Sequence, residues 1–150
     1  MMDRVIHAYG QEQNLQYTLF RPFNWIGSGL DSFNSSKEGS SRVITQFFGN
    51  IARGENIKLV DGGCQRRSFT DVSDGVEALI KIIENKNKIA DRKIYNIGNP
   101  FNDLSIRELA NKMIKLALDF PEYYEAAMKV KLIDVSSKEY YGEGYQDLSL

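Results

Sequence analysis

Hydrophobic and polar positions recur with two different periods along this chain. Apolar residues three or four positions apart predict amphipathic helices over residues 1–13, 43–51, 73–85 and 105–117. Short runs rich in apolar, aromatic and β-branched residues predict strands at residues 15–25, 58–60, 93–98 and 129–135, with the run at 93–98 expected to be buried. Because strands and helices follow each other in turn, the pattern indicates an α/β fold.

Capping and turn residues mark where these elements begin and end. Ser105 with Glu108 forms a capping box, the most specific local signal in the chain. Ser40 or Ser41 can cap the helix that starts near residue 43. Pro22 cannot donate to a strand ladder, so the first strand should stop there.

Two polar residues lie where an α/β fold places ligand contacts. Asn24 follows the first strand, and ligands of open α/β sheets sit beyond the carboxyl ends of strands. Arg42 falls in the first turn of the second helix, where an exposed cation opposes the macrodipole by roughly 0.3–1 kcal/mol. Asn24 is as compatible with a turn residue as with a ligand contact. Arg42 is as compatible with a solvated cation as with a residue that binds an anion, so the sequence leaves both roles open.

One stretch concentrates positive charge around two glycines, and it is called the cation segment here. Its residues are Lys58, Leu59, Val60, Asp61, Gly62, Gly63, Cys64, Gln65, Arg66 and Arg67. The glycines permit positive φ, so the sequence predicts a hairpin with one lysine and two arginines on its two arms. Facing residues of paired strands lie close together, and two guanidinium forks with a lysine suit a diphosphate. The alternative is a solvated basic hairpin.

Composition excludes several classes of protein. The 150 residues are 42% hydrophobic with a formal net charge of −1, so no global field attracts nucleic acid or a membrane. The single cysteine excludes an internal disulfide and a thiolate zinc cluster, and no metal site is expected. We find no apolar run long enough to span a bilayer and no signal peptide, and we expect a cytoplasmic protein.

Catalytic chemistry is sparse in the sequence. The glycine pairs at residues 27–29 and 142–144 resemble a dinucleotide phosphate loop, but neither has the third glycine or the strand–helix setting that the motif requires. His7 is the single histidine, and we expect a surface or packing role for it. Cys64 is expected to be an exposed loop residue, Trp25 an anchor in the core or a loop, and the methionines core filler.

Four blocks of sequence carry a resemblance to a known family. The blocks are Phe20–Trp25, Lys58–Gly63, Arg66–Asp71 and Tyr140–Asp147. They closely resemble the C-terminal, substrate-binding half of the ArnA-type UDP-glucuronic acid decarboxylase domain, an extended short-chain dehydrogenase/reductase of the NAD-dependent epimerase/dehydratase family. The middle blocks are shared loosely with UDP-xylose synthases and nucleotide-sugar epimerases, and the last block is more specific to the ArnA type. The resemblance covers essentially the whole chain.

The resemblance implies a fold, a reaction and a set of contacts. The fold is the C-terminal part of an NAD(P)-binding Rossmann-like domain with its small α/β substrate lobe. The reaction is NAD-dependent oxidative decarboxylation of UDP-glucuronic acid to a UDP-4-keto-pentose, CO2 and NADH, on the route to aminoarabinose-modified lipid A and polymyxin resistance. Positions matching Asn24, Arg42, Lys58 through Arg67, and Tyr145 would contact the UDP-sugar. A homo-oligomer is also implied, because the first helix commonly packs at a dimer interface in this family.

The chain also departs from the family pattern. It lacks the N-terminal glycine-rich loop and the Tyr-x-x-x-Lys pair, and the family's catalytic carboxylate and arginine fall outside it, so no catalytic residue is assigned and the NAD site is not intact. Cys64 stands where relatives carry lysine. We therefore expect residues 1–150 to form a single partial domain, cut at both ends, that is inactive alone. The alternatives are a piece of a UDP-xylose synthase or nucleotide-sugar epimerase or dehydratase, and a non-catalytic, self-associating module that binds sugar nucleotides.

Overall fold

The structure, a computed structural model, describes residues 2–32 and 42–142. The helices are α1 (Met2–Glu12), α2 (Val43–Arg53), α3 (Val72–Glu84), α4 (Ile106–Ala117), α5 (Pro121–Ala127) and α6 (Ser137–Tyr141). The strands are β1 (Thr18–Pro22), β2 (Trp25–Ile26), β3 (Ile57–Val60), β4 (Arg66–Ser68), β5 (Thr70–Asp71), β6 (Lys93–Ile97), β7 (Asp103–Ser105) and β8 (Leu132–Val135). The helices and strands form two compact units, unit 1 (Met1–Gly27 and Ser68–Asn102) and unit 2 (Ser28–Arg67 and Asp103–Leu150). Among the described helices, none has the length and apolar character needed to cross a membrane.

Unit 1 is built on two short pairs of parallel strands. β1 pairs with β6, with Thr18 opposite Lys93, and β2 pairs with β5. β1 ends at Pro22 as predicted, because proline has no N–H to donate. Helix α3 begins directly after β5, and its N-cap Asp71 accepts a hydrogen bond from the backbone N–H of Ser73.

A close contact fixes α3 against β2 within unit 1. Gly75, buried on α3, lies so near the indole of Trp25 that an added Cβ would come within 2.7 Å of the ring carbons. The indole N–H of Trp25 donates to the carbonyl of Ile97 at 3.1 Å. Trp25 therefore anchors this unit, which confirms the prediction made for it.

Much apolar surface of unit 1 is exposed within the described residues. Phe20 on β1, Ile83 on α3 and Ile94 on β6 are 43%, 81% and 52% exposed. The strand at 93–97 is confirmed, but the expectation that it is buried is wrong. The described residues pair it with β1 alone, and a two-stranded sheet covers little of its own faces.

Unit 2 holds most of the buried apolar side chains. β3 pairs in parallel with β8, and β4 pairs with β7. Among the described residues of this unit, the buried apolar ones are Phe47, Ile51, Ile57, Leu59, Leu109, Ala110 and Ala127. They belong to α2, β3, α4 and α5, so these four elements share one core.

The predicted hairpin in the cation segment is wrong. β3 pairs with β8 and β4 with β7, so the two arms of the segment do not pair with each other. Between them Asp61–Gly63 forms a tight turn that redirects the chain. The long-range parallel pairing prevails because Ile57 and Leu59 of β3 are fully buried in the core of unit 2, which a two-stranded hairpin cannot provide.

Local signals placed the main helices correctly. α1, α2, α3 and α4 confirm the four predicted helices, and Gly54 ends α2 with a φ of 67°. The capping box of Ser105 and Glu108 is present with both of its hydrogen bonds. Ser40 and Ser41, the predicted caps of α2, lie outside the described residues.

The C-terminal part differs from the expectation in two places. The sequence pattern does not predict α5, whose strongest start signal is the proline at its first position. The sequence predicts a flexible aromatic loop over residues 140–147. Tyr140 and Tyr141 belong instead to α6, and residues 143–147 lie outside the described part. Met2 and Met128 are 74% and 63% exposed, so core filling is wrong for both: Met2 is the first residue of α1, and Met128 caps the C-terminal end of α5.

Candidate functional site

The cation segment bends through a turn in which three successive residues have positive φ. The φ values are 46° at Asp61, 75° at Gly62 and 66° at Gly63. Glycine adopts such values without a Cβ penalty, whereas an aspartate needs support from its surroundings. The carboxylate of Asp61 accepts a hydrogen bond from the backbone N–H of Ser137 at 2.9 Å, which ties the turn to the start of α6.

The first turn of α4 lies directly against these glycines. A Cβ built on Gly63 would come within 3.1 Å of the backbone nitrogen of Arg107. Arg107 donates through Nε to the carbonyl of Gly62 at 2.8 Å, and its Nη2 pairs with Asp134 on β8. Sequence reasoning missed Arg107, although the signal that singled out Arg42, a cation in the first turn of a helix, is present there too.

The two arginines of the cation segment have different surroundings. They are adjacent on β4, so their side chains leave opposite faces of the strand. Arg66 pairs with Asp103 at 2.7 Å and Glu108 at 3.4 Å, and its hydrogen bond to Asp103 is the main cause of its raised pKa. Arg67 is half-buried and donates through Nη1 to the carbonyl of Arg66 at 2.8 Å. The two guanidiniums therefore do not share one face of the strand, and substrate contact by either one stays a prediction.

The other members of the cation segment have simpler settings. Lys58 is exposed on β3 between two buried residues, so strand alternation directs it away from the core. Cys64 is an exposed free thiol, as predicted. The side-chain amide of Gln65 donates to the carbonyl of Val60 at 3.4 Å, across the turn.

Arg42 is the N-cap of α2 and does not lie in its first turn. Its backbone is extended, at φ −61° and ψ 148°, which corrects the predicted position. The guanidinium donates to the carboxylate of Asp31 at 2.9 Å and to the carbonyl of Leu30 at 3.0 Å. Hydrogen bonds from Thr45 and then Arg42 lower the pKa of Asp31. The charge of Arg42 is thus balanced inside unit 2, and its contact with substrate stays a prediction.

Asn24 lies in unit 1, in the short break between β1 and β2. Its φ of 42° is typical of a turn asparagine. Its side-chain amide donates to the carbonyl of Ser68 at 3.0 Å, and its own carbonyl accepts from the N–H of Thr70 at 3.2 Å. Asn24 therefore holds its loop to the start of β5, at the carboxyl end of β1 as expected. Tyr145, the remaining predicted contact, lies outside the described residues.

The described residues do not fit the diphosphate of NAD. Gly27 and Gly29 follow β2, but no helix begins in the stretch described after them, which runs to Ser32. Helix α3 does follow a parallel strand directly. Its N-cap, however, is Asp71, whose carboxylate accepts a hydrogen bond from the backbone N–H of Ser73 at 2.8 Å. Hydrogen bonding from Ser73 lowers the pKa of Asp71. A carboxylate held at that helix start repels a phosphate, so no NAD chemistry is assigned to these residues.

Metal chemistry is also without a candidate in the part of the chain that the structure describes. That part holds no group of three His, Cys, Asp or Glu side chains placed to bind an ion. The charged groups around the glycine turn instead form ion pairs with each other and hydrogen bonds to backbone carbonyls.

The chain belongs to the NAD dependent epimerase/dehydratase family, whose model matches residues 1–98. It is 65% identical to the PbgP3 protein from Burkholderia pseudomallei, and the crystal structure of that protein matches this fold with a TM-score of 0.81. The match covers 89% of this chain and 40% of that chain, so this chain spans less than half the length of that relative.

Solved structures of lower identity share the same fold. A UDP-glucose 4-epimerase from Thermotoga maritima, solved with UDP-glucose, is 21% identical with a TM-score of 0.69 over 89% of this chain and 37% of that one. DesIV, a dTDP-glucose 4,6-dehydratase from Streptomyces venezuelae solved with NAD and TYD, is 19% identical with a TM-score of 0.64 over 88% and 35%. These likenesses, with the parallel strand pairs, confirm the predicted Rossmann-like α/β class of the extended dehydrogenase/reductases.

Proposed function

We propose that this chain is the UDP-sugar-binding part of an ArnA-type, NAD-dependent UDP-glucuronic acid decarboxylase. The observation that carries the proposal is the cation segment of unit 2, where Lys58 and Arg67 flank a glycine turn held by α4 and α6. The family match and the 65% identity to PbgP3 support it. The resemblance of four sequence blocks to the ArnA type supplies the substrate.

Charge explains why this segment suits a nucleotide diphosphate. The chain has a formal net charge of −1, so attraction of an anion must be local. Arg66 is balanced by two carboxylates, whereas Arg67 has no carboxylate partner among the described residues. We therefore assign the main phosphate contact to Arg67, with Lys58 adding charge from β3. Cys64, at a position where relatives carry lysine, leaves this site with one cation fewer.

In the proposed reaction, the residues of this chain bind and orient the nucleotide. NAD, held by parts of the parent enzyme other than the described residues, would supply the oxidation that precedes the loss of CO2. The structures named above include a UDP-glucose 4-epimerase solved with UDP-glucose and a dTDP-glucose 4,6-dehydratase, which supports a nucleotide-sugar substrate. The groups that would transfer protons or hold NAD are not among the described residues.

Titration of the 150-residue chain with UDP, UMP and uridine tests the proposal by calorimetry. We expect UDP to bind most tightly, and Arg67→Ala to weaken UDP binding about tenfold or more, as the loss of a charge-assisted hydrogen bond does. Arg53→Ala, which removes an exposed arginine paired with Glu55 in the same unit, is the matched control and should change little. Equal affinity for uridine and UDP, or no effect of Arg67→Ala, would contradict the proposal.

The sugar and the activity need a second measurement. UDP-glucuronic acid should bind more tightly than UDP-glucose or UDP-xylose, while a preference for either of these favours an epimerase or a UDP-xylose synthase. The chain mixed with NAD and UDP-glucuronic acid should produce no absorbance of NADH at 340 nm. Sustained turnover would show that the chain is active alone and refute that part of the proposal.

Self-association is a second candidate function, and one observation favours it. Unit 1 exposes apolar side chains on α1, α3 and β6, among them Val5, Ile83 and Ile94. Exposed apolar area and unpaired strand edges promote association between copies. Light scattering across a concentration series should show a rise in mass, and a monomer at every concentration would exclude it.

A further inference from the structure

We infer that Arg107 is a positioning residue of the proposed nucleotide site. It fixes the glycine turn from which the cation segment presents Arg67, and it does so without touching the nucleotide itself. This inference rests on the proposed function, and it names a residue that the family resemblance does not assign.

The guanidinium of Arg107 joins two different elements of unit 2. Its Nε donates to the carbonyl of Gly62 at 2.8 Å, and its Nη2 pairs with the carboxylate of Asp134 on β8. Both contacts use the fixed, planar geometry of one arginine fork, which a lysine ammonium cannot reproduce. Arg107 therefore holds the turn at a set position relative to the strand pair of β3 and β8.

Helix stability does not explain why a cation stands at this position. Arg107 is the second residue of α4, two positions after the N-cap Ser105. A cation in the first turn opposes the helix macrodipole, and α4 already has a complete capping box. A cation at this position is unfavourable for the helix alone. The contacts of Arg107 with the turn, and not the stability of α4, therefore explain its presence there.

The first turn of α4 contacts the cation segment at successive points. Gly63 packs on the backbone of Arg107, the N–H of Ile106 donates to the carbonyl of Gln65 at 3.0 Å, and Glu108 pairs with Arg66. These contacts fix the chain up to the residue before Arg67. Removing the Arg107 side chain takes away the hydrogen bond to Gly62 and leaves the later contacts and the Asp61–Ser137 bond in place.

Hydrogen exchange measured by mass spectrometry tests the positioning directly, with or without a ligand. We expect the peptide spanning residues 59–66 to exchange several-fold faster in Arg107→Ala than in the unmodified chain, with Arg107→Lys intermediate and Arg53→Ala unchanged. Should Arg107→Ala fail to fold, Asp134→Asn breaks the ion pair alone and should show the same change at smaller size. Unchanged exchange of this peptide in the folded variants would overturn the inference.

The salt dependence of UDP binding separates positioning from direct contact. We expect Arg107→Ala to weaken UDP about tenfold and to leave the slope of log Kd against log salt unchanged. Arg67→Ala should reduce that slope, because it removes a charge that faces the phosphates. A reduced slope for Arg107→Ala, or faster exchange with unchanged UDP affinity, would overturn the positioning role. Absence of UDP binding by the unmodified chain would instead refute the proposed function, and the exchange result would still decide whether Arg107 holds the turn.

Discussion

The two compact units of this chain cover their parallel strands to different extents. In unit 2, β3 carries two fully buried residues, Ile57 and Leu59, and helices α2, α4 and α5 complete the core around them. In unit 1, the matching pair of β1 and β6 leaves Phe20 and Ile94 about half exposed. Parallel strands are normally covered on both faces. Within the described residues, unit 2 therefore covers its own strands and has a complete core, and this core can hold a strained turn in place.

The largest expected effect compares one isoleucine from each unit. Ile57→Ala removes a fully buried side chain from β3 and should lower the free energy of unfolding by about 2–5 kcal/mol. Ile94→Ala, on the half-exposed β6, should cost less than about 1.5 kcal/mol. Urea denaturation followed by circular dichroism measures both. Similar losses for the two variants would break the comparison between the units.

The next largest loss of stability is expected for Gly75→Ala, a substitution in unit 1. The added methyl would meet the Trp25 ring at 2.7 Å, so we expect a loss of about 1–3 kcal/mol from overpacking. Alanine is otherwise better than glycine inside a helix by roughly 1 kcal/mol, so a net loss isolates the clash. Fluorescence of the single tryptophan reports the change, and Val76→Ala on the exposed side of α3 is the control. A gain in stability would show that α3 does not pack on β2 as described.

A smaller effect is expected at the start of α4. Ser105→Ala removes the cap that accepts the N–H of Glu108 at 3.1 Å and should cost about 1 kcal/mol. Ser136→Ala, which removes the cap of the shorter helix α6, is a matched comparison and should cost less because α6 has few residues to lose. Thermal unfolding monitored at 222 nm distinguishes them. The reverse order would mean that α6 matters more to unit 2 than α4 does.

The smallest expected effect is a change in acid sensitivity. Hydrogen bonds from Ser105 lower the pKa of Glu108 below its ordinary value of 4.5. Its charged form therefore adds stability above about pH 4.5, and that stability is lost as the pH falls through the lowered pKa. Glu108→Gln should flatten this acid limb while keeping an acceptor for the N–H of Ser105. An unchanged profile from pH 3 to pH 6 would show that the carboxylate charge contributes nothing there.

Sequence signals succeeded where a few adjacent residues decide the structure. The capping box at Ser105 and the stop at Pro22 each follow from local chemistry. The hairpin failed because β3 pairs with β8, more than seventy residues later, for a core that no local pattern encodes. Arg107 has the same first-turn signal that singled out Arg42, but its partners Gly62 and Asp134 are distant in sequence, so only the fold shows what it contacts.

Backbone amide shifts measured by two-dimensional NMR during a UDP titration test the central claim most directly, because they report both units at once. The account predicts the largest perturbations at Lys58 through Arg67 in unit 2, and in Arg67→Ala the same shifts should need about tenfold more UDP. Perturbations confined to unit 1, or none in the cation segment at saturating UDP, would contradict it.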